Sequence, residues 1–134
     1  MTGFDDAEYR RWLSQANHTR DSAGRDAASG DYSWSCFKSQ QAGEYALQAL
    51  LRGLGQPAHG HALRRLLSEL MTLSIEVPEA VMEAGQALDR HIVPTTRYAD
   101  AFPEGSPHEY YNLGAAEEAL GAADKVIDWV QSAA

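Results

Sequence analysis

Positive charge is scarce in this chain of 134 residues, which holds two lysines, Lys38 and Lys125, and carries a net charge of −8. A surface of that sign repels a phosphate backbone, so broad non-specific nucleic-acid binding is excluded, while a local basic pocket would still hold one phosphate or an RNA end. Cysteine is nearly absent. With Cys36 alone no intrachain disulfide forms, which fits a reducing cytoplasm. The opening "MTGFDDAEYRRW" lacks the apolar core of a signal peptide, and no apolar run approaches the ~20 residues that span a bilayer. The expectation is a cytoplasmic protein without membrane contact. Also missing are a glycine-rich phosphate loop, a Ser-His-Asp pattern and a carboxylate pair suited to acid–base catalysis, which weighs against an enzyme.

What is present is ordinary globular composition, 44% apolar and 22% charged, in a length that suits one domain over residues 1–134. From about Asp5 to Ser29, residues Tyr9, Trp12, Leu13, Ala16, Ala23 and Ala27 recur at helical spacings. Asp5 and Asp6 suit the N-terminal end and Gly30 the stop. A second helix runs from a cap at Asp31 along Trp34, Phe37, Ala42, Tyr45, Ala46, Ala49, Leu50 and Leu54, and Gly55 with Pro57 ends it. A shorter third carries Leu63, Leu66, Leu67, Leu70 and Met71. Pro78 opens a fourth, with Val81, Ala84, Leu88 and Ile92 on one face. A last helix carries Ala116, Leu120, Ala123, Ile127 and Val130. No segment alternates as a strand would. The pattern predicts an all-α, up-and-down bundle of about five helices, with alanine on the second and last helices allowing close approach of their axes.

Between the last two helices lies "HIVPTTRYADAFPEG", residues 91–105, with Arg97, Tyr98 and Asp100 in near succession. One reading makes Arg97 a two-oxygen anion contact, with Tyr98 stacking on a base and Asp100 orienting the arginine or a ribose hydroxyl. The other makes Arg97 and Asp100 a loop-ordering ion pair and Tyr98 a plug at the end of the bundle. His61 is read as a helix cap or a site-lining group. Gln40, Gln41 and Glu44 are placed to hydrogen-bond across the bundle to Arg97. His59 and His61, with His91 or His108 nearby, have no cysteine or carboxylate set to complete a zinc site, so no metal and no cofactor is expected. Lys38 reads as a solvated side chain. Trp12, Trp34 and Trp129 read as core or dimer-interface residues, and Cys36 as packing.

Four strings in order resemble the HEPN family, the small helical domains named for higher eukaryotes and prokaryotes nucleotide-binding. The second helix has Gln40, Gln41, Ala42, Glu44, Ala46, Ala49, Leu50 and Leu51 where that family carries a Gln-Gln-Ala-x-Glu-x-Ala-x-x-Ala-Leu-Leu run. His61 and Leu63 resemble the "tHdL" motif that opens the third helix. Leu88 and Asp89, then Thr96, Arg97, Tyr98 and Asp100, match the Leu-Asp and "TRYPD" motifs. Three departures stand out. Tyr45 and Gln48 replace common lysines, Ala99 replaces the loop proline, and the last helix lacks the arginine and closely following histidine of the ribonuclease members. By bare spacing that pair recurs at Arg11 with His18 and at Arg52 with His59, which are not the family's site.

The resemblance implies a homodimer formed through the second helix. It also implies a role as the nucleotide-, RNA- or partner-binding subunit of a toxin–antitoxin-like module with a minimal nucleotidyltransferase. The ligand-binding residues would be Arg97, Tyr98, Asp100, His61, Gln41 and Glu44. Two alternatives stay open: an atypical ribonuclease using Arg97 with His61 or His108, and a structural homodimer without activity.

Overall fold

The computed structural model describes residues 3–56, 58–92 and 96–134, so Pro57 and Pro94 lie outside the described residues. It is all-helical there, with α1 (Asp6–Ala28), α2 (Tyr32–Gly53), α3 (Leu63–Thr72), α4 (Glu79–Asp89), α5 (Pro107–Tyr110) and α6 (Leu113–Ala133). To the five expected helices the structure adds α5, four residues long, and a 3₁₀ turn at Ala99–Ala101. Among the described residues no helix is long and apolar enough to cross a membrane.

The α1–α2 hairpin turns at Gly30, whose φ of +82° is open to glycine at little cost. The turn is closed by Gly30 N donating to Ala27 O and Asp31 N to Asp26 O, at 3.1 and 2.8 Å. Asp5 caps α1 by accepting from Glu8 N. Asp31 stands at the start of α2 as expected, but its side chain makes no capping bond.

Helix α2 is the hub of the fold. It is buried on nearly every side and packs against α1, α3, α4 and α6. Its Ala42, Ala46 and Ala49 and the Ala116, Ala119 and Ala123 of α6 are buried, small side chains that let helix axes approach closely. On the other side Leu63, Leu66, Leu67 and Leu70 of α3 are fully buried, each contributing roughly 2 kcal/mol of transfer free energy. Gly43 is where α2 meets α3 and α4. A Cβ there would lie 2.8 Å from Leu63 Cδ2 and Leu88 Cδ1.

Several sequence expectations need correction. Trp34 and Met71 are exposed at 43% and 52%, and Ile92 lies beyond the end of α4. Pro78 is the residue before the first turn of α4, not within it. Lys38 is not merely solvated: its Nζ reaches Asp26 Oδ2 at 2.8 Å and Ser22 Oγ at 3.0 Å, pinning α2 to α1. Arg20 likewise clasps Asp124 of α6 with two bonds of 2.6 and 2.9 Å.

Candidate functional site

Residues Phe37, Gln41, Glu44, Tyr45, Gln48 and Arg52 fall at intervals of three and four along α2 and so share one stripe. That stripe floors a cleft of about 650 Å³. Trp12 of α1 forms one wall. Ala58, Gly60 and His61, from the α2–α3 connection, join Ile92 and Arg97, from the segment after α4, in lining the rest.

Two guanidinium groups enter this cleft. Arg97 lies over the Phe37 ring at 4.1 Å, with the Tyr98 ring 5.2 Å away, and its Nη2 donates to Ile92 O at 3.0 Å. Its Nε is buried and has no hydrogen-bond partner among the described residues. Arg52 lies over the Trp12 ring at 4.1 Å and donates from Nε to Gln48 Oε1 at 3.0 Å. Each cation is thus held by an aromatic face and a neutral acceptor. Among the described residues neither is paired with a carboxylate.

The acidic group at the cleft is Glu44, which is 5% exposed. Burial pushes its carboxyl above the ordinary 4.5, partly offset by His61 and Gln40. His61 Nδ1 lies 3.2 Å from Glu44 Oε1, with most of the imidazole in solvent. Gln40 Nε2 donates to His61 O at 3.2 Å, and Gln41 Nε2 donates to Gln40 Oε1 at 2.7 Å. These amides anchor the His61 segment to α2 and do not reach Arg97 as expected.

Arg97, His61, Gln41 and Glu44 therefore converge on one cleft, while Tyr98 and Asp100 do not line it. Tyr98 is 54% exposed, flanking Arg97, so it is no plug. Asp100 is exposed on the 3₁₀ turn and makes no ion pair with Arg97. His61 does not cap α3. That task falls to Asp89 at the end of α4, which accepts from Leu63 N at 2.6 Å and Arg64 N at 3.2 Å. His59 opens onto a separate, smaller cavity beside Leu51 and Glu69, away from His61. His108 is exposed on α5 and lines no part of the cleft. Cys36 is fully buried and desolvation raises its thiol to about 11, consistent with packing.

Three further lining residues, Arg52, Trp12 and Gln48, carry no motif that marks them as part of a site. The period of Phe37, Gln41, Tyr45, Gln48 and Arg52 signals a common polar–aromatic face, but nothing local tells that Trp12 stands beneath Arg52.

A family model described as the HEPN domain matches residues 9–133. The chain belongs to the HEPN family. A Thermus thermophilus protein of known crystal structure is 41% identical, superposes with a TM-score of 0.89, and is matched over 94% of this chain and 98% of its own. An archaeal HEPN homologue is 31% identical with a TM-score of 0.78, over 92% and 95% of the two chains. An HEPN domain protein from Thermotoga maritima is 32% identical with a TM-score of 0.73, over 91% and 95%. No curated protein matches the chain. On the HEPN frame the sequence strings acquire physical roles: the glutamines of α2 hold the His61 segment, the aspartate ending α4 caps α3, and Arg97 enters the cleft.

Proposed function

We propose that this HEPN protein is a binding subunit whose α2 cleft takes a phosphate-bearing ligand, a nucleotide or RNA, with Arg97 as the anion contact. One observation carries the reading: in a chain of net charge −8, Arg97 and Arg52 turn into a single cleft and, among the described residues, neither is paired with a carboxylate, Glu44 facing His61 instead. A planar guanidinium with free N–H groups suits phosphate oxygens. Phe37, Trp12 and Tyr45 supply aromatic surface for a base. Tyr98, exposed beside Arg97 though outside the cleft lining, adds a further ring near that cation. The HEPN resemblance supports the wider setting: a cytoplasmic homodimer working with a minimal nucleotidyltransferase in a toxin–antitoxin-like module.

Thermal-shift titration of wild type and Arg97→Ala with AMP, ATP and a short single-stranded RNA tests this. A ligand at a hundredfold excess over its Kd stabilises the folded state by about 2.7 kcal/mol. The expected outcome is stabilisation of wild type that Arg97→Ala loses. If no ligand shifts wild type at millimolar concentration, the site is not a phosphate site and a structural homodimer becomes the better reading.

A second reading, an atypical ribonuclease, is favoured by His61 lining the same cleft as Arg97 with Glu44 behind it. His61 would accept the 2′-hydroxyl proton as that oxygen attacks phosphorus, Arg97 would stabilise the added charge, and the 5′-oxygen would leave by taking a proton from water. Running the same RNA samples on a denaturing gel decides it: cleavage must occur and must disappear in both Arg97→Ala and His61→Gln.

A further inference from the structure

The two cation–aromatic pairs stand at opposite ends of the cleft floor. Phe37, beneath Arg97, and Arg52, above Trp12, are fifteen residues apart on one helix, a rise of about 22 Å at 1.5 Å per residue. Both arginines are built alike: a ring face at 4.1 Å, one N–H tied to a neutral oxygen at 3.0 Å, and further N–H groups without a partner among the described residues. A mononucleotide carries its phosphates consecutively at one end and satisfies one such station.

We infer that the cleft is a two-station trench for a single-stranded oligonucleotide, with Arg97 on Phe37 and Arg52 on Trp12 each neutralising a different phosphate of the same strand. The inference rests on the phosphate-binding reading of Arg97 and adds Arg52 and Trp12 to it. Arg52 folds back to Gln48, which brings its guanidinium about one turn nearer, to about 16 Å along the axis, or roughly five nucleotides at the 3.4 Å of a stacked strand and fewer in an extended one. Between the stations Gln41, Tyr45 and Gln48 offer amides and a phenol to bases or ribose hydroxyls, and the one carboxylate on the floor, Glu44, is 5% exposed and faces His61 at 3.2 Å. Positively charged grooves interleaved with aromatic rings are how single strands are held without base pairing. The chain's negative charge confines the strand to this trench, so a short segment fits and a long polyanion is repelled on either side.

Fluorescence anisotropy with labelled single-stranded hexauridylate, and with labelled uridine monophosphate, is measured across a series of KCl concentrations for wild type, Arg52→Gln, Arg52→Lys and Arg97→Ala. Circular dichroism melting confirms that each variant folds. For single strands, log affinity falls with log salt by about 0.7 per phosphate neutralised. Arg52→Gln is expected to flatten the hexamer slope by about 0.7 and weaken binding about fivefold at 0.1 M salt, by the same exponent, while leaving the monophosphate unchanged. Arg52→Lys is expected to restore the slope. If Arg52→Gln leaves hexamer affinity and slope unaltered while Arg97→Ala abolishes binding, the two-station reading is overturned and the Arg97 reading survives. If neither probe binds wild type, both fall together. If sedimentation shows Arg52→Gln converting dimer to monomer with hexamer affinity per protomer unchanged, Arg52 belongs to a contact between copies, and the inference is overturned in favour of that interface.

Discussion

Asp89 is the last residue of α4, yet its carboxylate serves α3, accepting from Leu63 N and Arg64 N at 2.6 and 3.2 Å. Ala62, at the start of α3, provides no side-chain cap of its own. Asp89→Ala therefore leaves two first-turn N–H groups without these partners. Loss of a helix cap costs about 1 kcal/mol. Loss of a negative charge at that N-terminus adds roughly 1 kcal/mol, and relief of the same charge at the C-terminus of α4 returns about 0.5 kcal/mol. The net is about 1.5 kcal/mol. An unfolding entropy of ~2.1 cal/mol/K per residue makes that about a 5 °C fall in Tm for a chain of this length. Asp89→Asn keeps one acceptor and should lose less than half as much. Calorimetry measures the first quantity. Hydrogen exchange measures the second consequence, faster exchange at the Leu63 and Arg64 amides, and because His61 lies just before α3, the His61–Glu44 contact should loosen with it. An Asp89→Ala protein melting within about 1 °C of wild type, with those amides still protected, would refute the argument.

Glu44 makes stability depend on pH with a definite sign. Burial raises its carboxyl above 4.5 in the folded chain, so its contribution is full below pH 4.5 and declines as pH rises through the folded value. Glu44→Gln abolishes that decline, and its urea midpoint should gain on wild type from pH 4.5 upward. A difference between the two that does not change with pH would count against burial as the cause. Gly43→Ala should destabilise by about 1 kcal/mol, because overpacking costs ~2 kcal/mol and helix propensity returns ~1 kcal/mol. The new Cβ would sit 2.8 Å from two fully buried leucines, and a variant that melts above wild type would mean they have room to move.

Much of the fold is legible in particular residues. Leu63, Leu66, Leu67 and Leu70 repeat at three and four and are all fully buried, because α3 packs one face against the bundle and solvates the other. Periodicity fails for α2 because the helix is covered on nearly every side, so its buried positions include Ser39, Gln40, Glu44 and Gln48 beside the alanines. Trp34 and Met71 fall on apolar stripes by spacing yet are exposed, because the packing of neighbouring elements and not spacing decides cover. The site was legible in Arg97, His61, Gln41 and Glu44, which motif order singled out. It was illegible in the ring beneath Arg97 and in the whole Arg52–Trp12 station.

The sequence by itself determined the five longer helices, their order, the scarcity of cationic groups and the family, since these depend on local spacing, net charge and motif succession. Only the tertiary structure decided that Asp89 would cap a helix that begins 26 residues earlier. It alone also decided that Arg97 would lie over Phe37 and not against Asp100, and that Arg52 would cross to Trp12 of another helix. Those contacts join residues far apart along the chain, and the relative placement of packed helices, not the character of any segment, fixes which side chains meet.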